Sequence, residues 1–227
     1  MSVINNMTFD IDYTLALFPI LFRYLGTTME MALLGFVFAL LIAGLLAVIR
    51  TFQLFGLNAL ARLFISFFRG TPLLVQLFLL YYGLPQIMPI FIGLNAFSAA
   101  VIGLTLHFSA YMAESIRAAI LGVDKSQMEA ALSIGMSRTQ AMRRIILPQA
   151  ARIATPSLMN YFIDMIKSTS LAFTLGVAEI MSSAQKEAAS SFKFFESFIA
   201  VALVYWAVVL FFSYLQSLLE RRLNAAY

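Results

Sequence analysis

Apolar stretches of bilayer-spanning length recur along this chain, and they decide the solvent it folds in. A helix needs roughly 20 predominantly apolar residues to cross the hydrocarbon core of a bilayer. Residues 28–49, 63–84, 97–116 and 198–219 meet that condition, and a more polar stretch follows Pro156. The chain is 62% hydrophobic and only 11% charged, against roughly 45–50% apolar and about 25% charged residues in a soluble domain. There are too few charges to clothe a surface in water. The 227 residues leave room for about five spans with short connections. The fold class expected is all-α integral membrane, five transmembrane helices in a single domain over residues 1–227.

Residues 12–26 are apolar but interrupted by Pro19 and Arg23, the pattern of a short interfacial helix. Thr27-Thr28-Met29-Glu30 has the form of a capping box opening the first span. Pro72, in Arg69-Gly70-Thr71-Pro72, lacks an amide and restricts Thr71, so the second span is broken there. Residues 1–12 lack a basic start and a cleavage signature, so no removable leader is expected.

The connections differ sharply in charge. Residues 85–96 contain no Lys or Arg, whereas 117–152 hold Arg117, Lys125, Arg138, Arg143, Arg144 and Arg152. The positive-inside rule puts 117–152, 50–62 and Arg221-Arg222 in the cytoplasm. The N-terminus is then outside and the C-terminus inside. Lys186 and Lys193 fall outside, accompanied by Glu187 and Glu196. The net charge of +4 thus reads as orientation and not as a nucleic-acid surface. The chain has no Cys and one histidine, His107, which excludes thiol chemistry and leaves little for a metal site. No cofactor is expected.

The most informative stretch is 123–151. Ser126-Gln127-Met128-Glu129 reads as a capping box starting a helix that stops at Gly135, a residue suited to a left-handed turn. Ser137-Arg138-Thr139-Gln140 reads as a second capping box, opening a helix that runs to Leu147 and is stopped by Pro148. Two short helices joined at a glycine elbow either pack on their own spans or present a rigid knob to a partner.

Glu129-Ala130-Ala131, Gly135, Ile145, Leu147 and Pro148 resemble the EAA loop of ABC importer permeases. Arg69-Gly70-Thr71-Pro72-Leu73-Leu74-Val75-Gln76, Ala110-Tyr111-Met112-Ala113-Glu114 and Lys167-Ser168-Thr169-Ser170-Leu171 look like the second-, third- and fourth-span signatures of the polar amino acid permeases within that group. The resemblance covers about residues 27–222 and implies the type I ABC importer permease fold. It also implies that 123–151 is a cytoplasmic coupling loop seated in an ATP-binding ABC subunit, with Glu129, Ala130, Ala131, Gly135, Arg138, Leu147 and Pro148 at the contact. An external amino-acid-binding protein and a second permease subunit, identical by preference, are the other implied partners beside membrane lipid. There is no G-x-x-x-x-G-K-[ST] phosphate loop, so the chain is not itself expected to be an enzyme.

Polar residues inside a span are costly and usually face an interior or a cavity. Asp164 and Lys167, one turn apart, are expected to pair, with direct contact to cargo the competing role. His107 either bonds a neighbouring helix or lines the pathway. Gln76, Tyr111, Asn160 and Tyr161 complete the candidate pathway. Related permeases often carry Asn-Glu-Phe where this chain has Asn160-Tyr161-Phe162, so a counter-charge for a cationic cargo is missing. The stretch Thr169-Ser170-Leu171-Ala172-Phe173-Thr174-Leu175-Gly176-Val177 is most similar to permeases for cystine and related sulfur amino acids. Glutamine or a basic amino acid is the alternative within the family. A self-sufficient secondary transporter is a different class, disfavoured by the absence of an internal repeat. A membrane-embedded enzyme is disfavoured by the poverty of catalytic groups.

Overall fold

The structure is a computed structural model that describes residues 9–224; residues 1–8, over which a leader was sought, lie outside the described residues. Eleven α-helices follow in order among them. They are α1 (Ile11–Phe22), α2 (Leu25–Thr51), α3 (Leu57–Gly70), α4 (Leu73–Phe78), α5 (Leu84–Ile87), α6 (Ala96–Leu121), α7 (Lys125–Ser133), α8 (Arg138–Ala141), α9 (Leu147–Ser168), α10 (Ile180–Ser191) and α11 (Phe194–Asn224). Among the described residues there is no strand.

The helices α2, α6 and α11 are each long and apolar enough to cross a membrane, and α3 to α5 make a fourth candidate bent by 110°. The fifth, α9, has 22 residues, about 33 Å of helix. Asp164, Lys167 and Arg152 lower its apolarity, and it packs between α2, α6 and α11. The bend at Thr71-Pro72 is sharper than a mere interruption. Thr71 is extended (φ −122°, ψ 148°) because Pro72 follows it.

The core forms where α2 meets α6. Gly35, Ala39, Ala43 and Ala47 repeat every fourth residue along one face of α2, and all are buried. Small residues at that spacing let helix backbones approach closely, the main route to helix association without water to drive it. The α6 face is similarly small. A Cβ on Gly103 would come within 2.4 Å of a Leu77 methyl, so a larger residue there would make the Leu77 side chain of α4 move. On the other side of this core, α9 brings Met165 against α2 and Phe162 against Phe36.

A second, separate core lies at the far end of α9 from α7 and α8. Leu17 and Leu21 of α1, Ile180 and Ala184 of α10, and Ala200, Val201 and Val204 of α11 close on one another. We call this three-helix assembly the distal unit. Polar contacts fasten it: Tyr13 Oη donates to Ser191 Oγ at 2.8 Å, and Lys193 pairs with Asp10. That pair gives Lys193, read from sequence as an outside cation, its compensating charge.

Four helix boundaries differ from those read in the sequence. The first span opens at Leu25, not at a Thr27–Glu30 capping box, since α2 starts a turn earlier behind Tyr24 with no side-chain cap. Thr28 is instead buried inside the bundle. The N-cap of α7 is Asp124, whose carboxylate accepts from the Ser126 amide at 2.8 Å and displaces Ser126 from the capping position. Pro148 does not stop a helix. A π turn over Met142–Ile146 shifts the hydrogen-bond register, and Pro148 then falls in the first turn of α9, where a missing amide costs nothing. Nor does α9 begin after Pro156, which lies inside it.

Candidate functional site

The elbow is built by local sequence. The Ser126 amide holds the Asp124 carboxyl below its ordinary carboxylate value. Ile134 ends α7, and Gly135 follows at φ +84°, the left-handed conformation that favours glycine. Ser137 then makes the capping box read from the sequence: its hydroxyl accepts from the Gln140 amide at 3.2 Å, and Gln140 Oε1 accepts from the Ser137 amide at 2.9 Å.

One face of the elbow packs and the other is bare. Ala131 and Ala141 are buried, on the side where α7 and α8 meet each other and the π turn over Met142–Ile146. Glu129, Ala130, Gly135, Arg138, Leu147 and Pro148 are exposed, and Ile134 projects with 78% of its surface free. Beside it a groove of about 750 Å³ runs between the end of α2 and the elbow. Phe52, Met128, Leu132, Met142 and Leu147 give it an apolar floor, while Glu129, Arg138 and Arg143 add charge. Above the elbow, Glu114 holds Arg117 at 2.7 Å and Arg50 at 3.7 Å, tying together the ends of α2 and α6.

The second constellation is centred on the break between α3 and α4. Phe68 O would ordinarily accept from the amide of residue 72, which proline lacks. Gln76 supplies that missing donor: its Nε2 lies 3.0 Å from Phe68 O and 3.1 Å from Thr71 O. With its nitrogen so committed, the Gln76 oxygen faces His107, with Oε1 3.0 Å from Nδ1. With the amide oxygen as acceptor, the hydrogen of this bond sits on His107 Nδ1. Gln76 is only 5% exposed and staples the broken span to α6. The bond to a neighbouring helix expected of His107 is present.

From His107 an aromatic track leads across the bundle. Its ring lies 5.0 Å from that of Tyr111, which lies 6.2 Å from that of Tyr161 on α9. The Arg69 guanidinium sits 5.4 Å above Tyr111, whose hydroxyl donates to Arg69 O at 3.3 Å. Asp164 and Lys167 pair at 2.6 Å, their side chains about half exposed at 51% and 54%. The structure thus brings Gln76, His107, Tyr111 and Tyr161 into one chain of contacts, with the Asp164–Lys167 pair a turn further along α9. Asn160 is not part of it: its side-chain oxygen accepts from Gln216 of α11 at 3.1 Å.

Sequence reasoning passed over Glu179, which is 0% exposed. Its carboxylate accepts from the amides of Met181 and Ser182 and from the hydroxyl of Tyr205. The available signal was a glutamate directly before a helical stretch, a weak one, since N-caps favour shorter side chains.

Residues 39–225 match the family described as binding-protein-dependent transport system inner membrane component. The probable amino-acid ABC transporter permease protein PatM of Vibrio harveyi is 70% identical over 97% of this chain and 99% of its own length. The L-cystine transport system permease protein TcyL of Bacillus subtilis is 40% identical over 95% of this chain and 92% of its own. A chain from the crystal structure of an amino acid ABC transporter with histidines superimposes with a TM-score of 0.88 at 36% identity, covering 95% of this chain and all of that one. The chain belongs to this family of inner membrane components, within its amino-acid ABC permeases. It has the all-helical type I importer permease fold that the motifs implied.

Proposed function

We propose that this chain is the membrane subunit of an ATP-driven importer for a polar amino acid without a cationic side chain, cystine first among them. Two copies enclose the pathway, an ATP-binding subunit docks on each elbow from the cytoplasm, and an external binding protein delivers cargo on the opposite side. The N-terminus is then external and the C-terminus cytoplasmic. Exposed Ile11, Leu15 and Phe22 on α1 face lipid at the outer interface.

The observation that carries the docking assignment is the bare elbow face. Ile134, Leu132 and Leu147 are apolar and exposed beside Glu129 and Arg138, a small apolar centre with a charged surround of the kind protein partners cover. The rigid caps and the continuity of α8, the π turn and α9 let a push on the elbow travel into the bundle.

The cargo assignment rests on Tyr161. It stands on the aromatic track where related permeases often carry an acid, and Asp164, the next carboxylate along α9, is neutralised by Lys167. A desolvated cation would find no free counter-charge on this track. The likeness to the cystine permease TcyL supports the same reading. The test is uptake of labelled cystine by the importer reconstituted with its ATPase and binding protein, with unlabelled amino acids as competitors. Arginine, lysine and histidine are expected to compete poorly, and Tyr161→Glu to slow cystine uptake. Saturable arginine uptake by the unmodified importer would overturn the assignment, and repeating the assay with the binding protein exchanged separates its selectivity from that of the pathway.

A further inference from the structure

The distal unit has its own apolar core, and one buried carboxylate ties α10 to α11 where α11 packs on the spans. Glu179 precedes α10 and caps it, taking the Ser182 amide at 2.7 Å on Oε1 and the Met181 amide at 2.9 Å on Oε2. A Ser, Thr, Asp or Asn would cap as well. The longer side chain does something the shorter ones would not, since Oε2 also accepts from Tyr205 Oη of α11 at 3.1 Å. The Tyr205 ring in turn packs on a cluster of Ala32 from α2 and Phe162 and Ile166 from α9. Four chain segments therefore meet at one point with no surface of Glu179 exposed. Burying a carboxylate is costly unless its bonds are made, and here two amides of a helix N-terminus and a phenol make them.

The rod that leaves this knot is continuous. From Thr169 the chain runs back through α9 to Leu147, through the π turn to α8, and so to the elbow. Tyr161 lies on that rod between the two ends.

We infer that Glu179 is a positioning residue that clamps α10 to Tyr205 of α11, and through the packing of Tyr205 to the outer end of α9, so that a load placed on the distal unit is transmitted along α9 to the elbow. The inference rests on the importer reading above. Without the clamp, α10 can shift on the distal core while α11 and α9 stay where they were. The bundle then keeps its basal behaviour and loses its response to what binds outside.

The test uses the complete importer in proteoliposomes, with ATP hydrolysis measured with and without cystine-loaded binding protein. Unmodified importer is expected to be stimulated. In Glu179→Ala and in Tyr205→Phe the stimulation is expected to fall at least about threefold, within the range over which coupling residues act, while the basal rate stays within about twofold. Tyr205→Phe keeps the cap on α10 and removes only the tie to α11, so it decides the matter if Glu179→Ala fails to assemble. Glu179→Gln, which retains an acceptor for one amide, is expected to lie between Glu179→Ala and the unmodified protein. Unchanged stimulation in Tyr205→Phe would overturn the clamp, as would an equal loss of basal and stimulated rates. No stimulation in the unmodified importer would instead contradict the function on which the clamp rests.

Discussion

The elbow and the distal unit are held together in opposite ways. The side-chain caps that shape the elbow link residues two or three apart, Asp124 to Ser126 and Ser137 to Gln140, with Gly135 turning the chain between them. The distal unit closes through pairs 178 and 183 residues apart in sequence, Tyr13 with Ser191 and Asp10 with Lys193. The elbow is therefore shaped by its own sequence and leaves one face bare. The distal unit exists only once the two ends of the chain have met, and polar pairs between them close it. A locally built knob suits a part that is pushed from outside the chain; a unit built from distant segments suits one that must stay attached to the rest.

Substitutions that separate the two regions follow from this contrast. Gly135→Leu should have the largest functional effect. A side chain at φ +84° is strained, nothing within 4 Å of the new Cβ compensates, and the elbow face is re-aimed. Uptake by the importer should fall to background while the protein still accumulates in the membrane at ordinary levels, measured by immunoblot beside transport. Normal uptake would remove the elbow from the coupling path.

The Gln76–His107 staple should rank next, and here the readout is stability. His107→Leu leaves a buried amide oxygen without its partner, a cost of about 1–3 kcal/mol. Replacing Gln76 as well removes that orphaned oxygen, although it returns the unpaired Phe68 carbonyl. Thermal melting of the solubilised protein should show His107→Leu clearly below the unmodified chain, and the Gln76→Leu/His107→Leu pair short of the sum of the single losses. Additive losses would mean the two side chains act separately.

The Asp164–Lys167 pair should matter less to stability, because each side chain is about half exposed. Either single neutralisation leaves a lone charge within a span, and the double replacement should recover membrane abundance. A double mutant no better than the singles would break the pairing account. The smallest effect belongs to Asp10. Its hydrogen bond to Lys193 holds the carboxyl below its ordinary value, so its contribution is present above that value and is lost as pH falls through the lowered one. Asp10→Asn should lower the melting temperature slightly at neutral pH, and the difference should vanish in acid. A difference independent of pH would assign the effect to packing.

What could be read from the sequence tracks this division. The elbow was legible because capping and glycine chemistry are local, and its two misread details were local competitions: Asp124 over Ser126, and a π turn that made Pro148 harmless. The span count followed from hydropathy, although α9 carries Asp164, Lys167 and Arg152. The bond between Gln76 and His107 was out of reach, because it depends on how α4 lies against α6 after a 110° bend. Glu179 was passed over for a related reason. A lone glutamate before a helix carries no mark of burial, and only the meeting of α2, α10, α11 and the end of α9 gives it one.

The central claim is that the bare elbow face is where an ATP-hydrolysing partner sits. Ile134 tests it most directly, because it is 78% exposed and ends α7 without packing in the core. The measurement is binding of the purified ATP-binding subunit to this chain in nanodiscs, for the unmodified protein and for Ile134→Asp. The account predicts a stoichiometric complex with the unmodified chain and a loss of affinity of at least about tenfold with Ile134→Asp, the size expected for a charge forced into the centre of an interface. Equal affinity for the two proteins would contradict it.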